Sequence, residues 1–185
     1  MTTNLIIDIL TYFAKFPNIE GVKKNFKNTN SSIPGYVELK TSIDNLPEHS
    51  LFPEIQDFVF GMDEKVVFEK IQNTKNMFLF LDYGQVNVKV DEQHDITSNG
   101  IALALTVAHN YSTQNKDAME QAVLMNQTLA SLTNIITQIK LDDKENRCAL
   151  TRYFTNPSDI VPVDPNEFFS KLGWTIFFHK KENLF

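Results

Sequence analysis

Between Glu120 and Lys140 the chain carries no ionisable side chain, and this most narrows what it can fold into. Residues 119–140 read MEQAVLMNQTLASLTNIITQIK. Ala118, Ala122, Met125, Leu129, Leu132, Ile136 and Ile139 recur at alternating steps of four and three, the spacing of one helical face. A helix over about 116–140 would run about 36 Å at ~1.5 Å per residue. Asn115 is placed to cap it, Asp117 complements the dipole in the first turn, and the polar LDDKEN is expected to end it. The e and g positions that would direct a coiled coil are neutral, so the seam is expected to pack on a sheet.

The helix also has a second face, with Gln121, Asn126, Gln127, Ser131, Thr133, Asn134, Thr137 and Gln138. Amides and hydroxyls can bond across a protein contact without the several kcal/mol that desolvating an ion costs. Gln121, Gln127, Asn134 and Gln138 are therefore the candidate interface of a homo-oligomer, the alternative being a neutral face turned to solvent.

The strongest β pattern is MFLFLDYGQVNVKV: Val86, Val88 and Val90 alternate with Gln85, Asn87 and Lys89, and Met77 to Leu81 is apolar throughout. The pattern runs through Tyr83-Gly84, so a bulge or bend is expected there. After the polar loop DEQHDITSNG, IALALTVAHN sets Ile101, Leu103, Leu105 and Val107 on one face. Ala102, Ala104, Thr106 and Ala108 lie on the other, where small side chains admit a helix or a neighbouring subunit.

Leu5, Ile6, Ile9, Leu10 and Phe13 predict an N-terminal helix that stops by Pro17. Residues 17–53 read as a loop-rich segment with one short strand, YVELKTSI. IQDFVFGM is a strand ending near Gly61, and DEKVVFEKI a strand or short helix. Three prolines between 157 and 165 predict an extended connector. GWTIFF is a last strand with Trp174, Ile176 and Phe178 on one face and Phe177 on the other, both covered, inside the sheet or at a hidden edge. The expected fold is a single α+β domain: a mostly antiparallel sheet, the long helix across it and the N-terminal helix beside that.

At 185 residues and 42% hydrophobic the chain suits one domain, and fifteen Phe predict an aromatic core. A net charge of −6 with just two arginines, Arg147 and Arg152, leaves few forked donors, so sequence-specific nucleic-acid binding is not expected. Lys15, Lys23, Lys24 and Lys27 read as a solvated basic loop. The single cysteine, Cys148, excludes an internal disulfide and fits a reducing compartment. MTTNLIIDILTYFAKF has no basic residues ahead of its apolar ones and holds Asp8 among them, so no signal peptide is expected. No apolar run reaches bilayer length, so the expected setting is cytoplasmic, without a membrane partner.

Chemistry is sparse. His49, His94, His109 and His179 stand apart, and Asp91, Glu92, His94 and Asp95 of DEQHD read as a polar loop rather than cation ligands. Cys148 beside Arg147 reads as an inert thiol, and Asp142-Asp143 and Asp63-Glu64 as solvated turns. There is no Gly-x-Ser-x-Gly elbow and no glycine-rich phosphate loop. No catalytic residue, cofactor or metal ligand is assigned, and no enzyme is expected.

The order of elements, with LDYGQVNVKV, IALALTVAHN and the terminal GWTIFFHK, resembles phage tail terminator and head–tail connector (neck) proteins, prophage copies included, over about 76–180. The resemblance implies a non-enzymatic subunit that assembles into a ring with copies of itself and other protein subunits, as a virion component. Residues 17–75 exceed what a minimal terminator needs. The alternative is an intracellular module binding a small molecule or a protein, which predicts a monomer with a pocket.

Overall fold

The computed structural model describes residues 5–28, 30–61, 64–83, 87–90, 96–99, 103–111, 117–147 and 159–178. In chain order these form α1 (Leu5–Phe13), α2 (Ile19–Lys23), α3 (Tyr36–Asp44), β1 (Asp57–Phe60), α4 (Glu64–Asn73) and β2 (Phe78–Tyr83). There follow β3 (Asn87–Val90), β4 (Ile96–Asn99), β5 (Leu103–Asn110), α5 (Ala118–Lys144), β6 (Ile160–Val163) and β7 (Lys171–Phe178). The fold is α+β, with a five-stranded sheet in the order β1-β2-β5-β7-β6. β1 runs parallel to β2, and every other neighbouring pair is antiparallel.

Alternation in the strands sorts side chains onto two faces. Leu79 and Leu81 of β2, Leu103, Leu105 and Val107 of β5, and Ile176 and Phe178 of β7 join the larger core with Ile9, Phe13 and Phe16 and with Leu132, Ile135 and Ile139 of α5. The opposite face holds a smaller cluster, in which Val67 and Ile71 of α4 meet Val59, Phe78 and Ala108. The small residue Ala108 thus admits a helix, α4. Close approach also explains Gly173: a Cβ there would stand 2.1 Å from the Val107 carbonyl oxygen of β5.

β3 and β4 form a separate two-stranded ladder. It keeps the register of β2–β5, since Asn87, four residues after Tyr83, pairs with Asn99, four residues before Tyr83's partner Leu103. The bulge or bend expected at Tyr83-Gly84 falls on Gly84, outside the described residues, as does the DEQHD group.

Several expectations need correction. YVELKTSI is helical in α3: Gly35 takes φ 84° ahead of it, the Lys40 ammonium donates to Asp44 at 2.6 Å one turn on, and Ile43 is buried. Helical contacts at these spacings outweigh a two-residue alternation. DEKVVFEKI resolves into α4, because Val67 and Ile71, four apart, share its buried side. The proline connector contains β6, an edge strand, the place in a sheet where Pro162 costs no ladder bond to a further strand. β7 lies inside the sheet as expected, yet its second face is not fully covered, since Phe177 is 37% exposed.

α5 differs most. Its cap is Asp117, whose Oδ1 accepts from the backbone N–H groups of Met119 (2.8 Å) and Glu120 (3.3 Å), while Asn115 lies outside the described residues. The helix runs on through LDDK to Lys144. The buried side is Thr128, Ser131, Leu132, Ile135, Ile139 and Asp142, turned by roughly 80° from the apolar seam, taking about 100° per residue. Three of these are polar and sink because each has a partner. The Thr128 hydroxyl donates to Leu124 O at 2.9 Å, the Ser131 hydroxyl to Glu54 Oε1 at 3.2 Å, and Asp142 is surrounded by donors.

Candidate functional site

The two ends of α5 are held in different ways. Asp142, fully buried in the last turns, accepts from the Tyr12 hydroxyl (2.8 Å) and the Lys15 ammonium on Oδ2, and from the Gln138 amide (2.9 Å) on Oδ1. Lys15 is 8% exposed, and its ammonium lies 4.5 Å from the Tyr12 ring centroid. Arg147 completes the network, with Nη1 donating to Glu48 at 2.9 Å. Burial alone would push the Asp142 carboxyl up, but the bonds from Lys15, Tyr12 and Gln138 outweigh it and hold the carboxyl below the usual carboxylate range. Asp142 is therefore no solvated turn residue. Of the lysine cluster, Lys15 is buried and Lys23 pairs with Asp44 at 3.4 Å, while Lys24, paired with Asp57 at 3.0 Å, and Lys27 are exposed as expected.

At the other end, residues 117–123 are exposed on every side, with Met119 at 75% and Val123 at 55%. Gln121 lies 139 − 121 = 18 residues before Ile139, about five turns at ~3.6 residues per turn, and so shares its core-facing azimuth. It is exposed nonetheless, because the core no longer lies beneath it. The Trp174 indole N–H donates to the Met125 carbonyl at 2.9 Å and marks where the helix leaves the sheet.

A second stripe runs along the outer side of α5. Met119, Val123, Asn126, Ala130, Thr133 and Thr137 follow at steps of four and three, all exposed and none ionisable. Thr133 and Thr137 turn their hydroxyls back onto Ala130 O and Thr133 O, both at 2.9 Å, which leaves their methyl groups outward. Met119, Val123 and Ala130 lie outside the apolar seam at 118–139 and form a stripe of their own. The signal was there, in a second set of uncharged residues at helical spacing.

Of the four candidate residues, Gln127 and Asn134 flank this stripe and are exposed. They border a cleft of about 450 Å³ that also meets Glu54, Asn76 and His109 at one end of the sheet. Gln121 stands apart on the overhanging turns, and Gln138 is committed to Asp142. Among the described residues no three His, Cys, Asp or Glu gather as a metal site, and no helix is long and apolar enough to cross a membrane. Comparison with protein-family models, curated proteins and solved structures found no match.

Proposed function

We propose that the protein is a non-enzymatic structural subunit that works by assembling with copies of itself through the outer stripe of α5, in the manner of a phage tail terminator or head–tail joining protein. The observation that carries this reading is a helix face without charge, from Gln121 to Ile139, on a chain of net charge −6. Like-charged copies repel least where neither presents a charge, and small side chains such as Ala130 let two helices approach closely. The overhanging apolar turns at Met119 and Val123 extend the same contact beyond the domain.

Light scattering on a size-exclusion column, over a range of concentrations, tests it. The parent should give a multiple of 21.2 kDa, and Val123→Glu with Ala130→Glu should return the single-chain mass. A parent that stays at the single-chain mass at high concentration, next to genes of a metabolic operon rather than tail, portal or capsid genes, contradicts the reading. The cleft beside Gln127 and Asn134 favours a second reading, a binding module, for which the parent is a monomer whose stability rises with a ligand.

A further inference from the structure

We propose that the cleft between α2 and α4 is an anion site that takes the phosphate group of a small molecule, or free phosphate. The cleft, about 320 Å³, lies along the outer edge of β1. α2 seats against that edge through Gly21, where a Cβ would come within 2.2 Å of the Gln56 carbonyl oxygen, so the wall carrying Lys24, Asn25 and Lys27 is fixed in place.

The functional group is the Lys70 ammonium. Asn25 is oriented by its Nδ2, which donates to Phe58 O at 3.0 Å and Val22 O at 3.1 Å, so its Oδ1 is left to accept from Lys70 at 3.0 Å. Lys70 also donates to Phe60 O at 3.2 Å. Two of three ammonium donors are thus used, and the third has no protein acceptor among the described residues. Lys15, Lys23, Lys24 and Lys40 each reach a carboxylate, whereas neither Lys70 nor Lys27 has one within ion-pair range among the described residues.

Burial, and then the Lys27 charge beside it, push the Lys70 ammonium below its ordinary value. An anion between the two lysines would favour the charged form against both effects and accept from the unused donor. On the α4 side the Asn73 amide donates to Glu69 O at 2.8 Å and keeps one N–H, the Thr74 hydroxyl is committed to Ile71 O at 2.7 Å, and Asp57 is already paired with Lys24. Glu69 is the acid in the cleft without an ion pair among the described residues, and it opposes the anion.

Titration of the full chain with inorganic phosphate at low salt, followed by amide NMR, is the test. Saturable shifts should appear at 21–27, 57–59 and 69–74 in the millimolar range. Lys70→Gln and the exposed Lys27→Gln should each weaken binding about tenfold, roughly 1.4 kcal/mol, and Glu69→Gln should tighten it. A small phosphate monoester binding more tightly than inorganic phosphate identifies a carried group as the ligand; equal binding identifies the free anion. Shifts that never saturate, or that persist unchanged in both lysine variants, overturn the proposal.

Discussion

The N-terminal and C-terminal ends of α5 invert the usual distribution of side chains. At the C-terminal end a carboxylate is fully buried, and at the N-terminal end Met119 and Val123 stand in solvent. The first is intelligible as folding: Asp142 joins α5 to α1 through Tyr12 and Lys15, residues 127 to 130 positions away in sequence. Among the described residues nothing covers the second. The contrast separates what holds the domain together from the surface that the proposed assembly would use.

The largest expected effect comes from breaking the core side of α5. Leu132 is fully buried, and Leu132→Asp places an unpaired charge there; the domain should be unfolded, read from the loss of the near-ultraviolet dichroism of Trp174. Next, Asp142→Ala leaves the buried Lys15 ammonium with Glu48, 4.0 Å away, as its remaining acid and should cost about 3 kcal/mol in urea unfolding.

Acid should reveal the same interaction. With its folded-state pKa below the unfolded value of about 3.9, Asp142 adds stability that is present above that value and fades as pH falls through the folded one. The gap in stability between the parent and Asp142→Asn should therefore narrow in that acidic window and hold steady around neutral pH. A gap independent of pH would contradict the ion pair. The smallest expected effect belongs to Gln127→Glu with Asn134→Glu: unfolding within about 0.5 kcal/mol of the parent, with self-association weakened by charges at the margin of the stripe.

Periodicity made much of this fold legible. The α+β architecture, the pairing of Phe78–Tyr83 with Leu103–Ala108, the helix at the N-terminus and the interior position of β7 all follow from apolar spacing, whereas Asn87–Val90 pairs with Ile96–Asn99, within the stretch expected to be a polar loop. Polar residues hid the rest. Thr128, Ser131 and Asp142 did not count toward a seam, so the helix was read turned on its axis. Asp142 stands three after Ile139 and seven after Ile135, positions that place it on the buried side once its partners are known. Those partners, Tyr12 and Lys15, are distant in sequence, and no local pattern ties them to it. In α3, YVELKTSI satisfies an alternation by chance, whereas its contacts fit steps of three and four. Of the candidate interface, Gln127 and Asn134 were legible as exposed amides, but Gln138 was not recognised as a donor to a buried acid.

Hydrogen exchange along α5, measured at several protein concentrations, tests the contrast between its ends most directly. Amides at 132–142 should exchange slowly at every concentration. Those at 121–126 should exchange fast in dilute solution and slow down as copies associate. Association that leaves 121–126 as fast as before would contradict the assignment of the outer stripe as the contact.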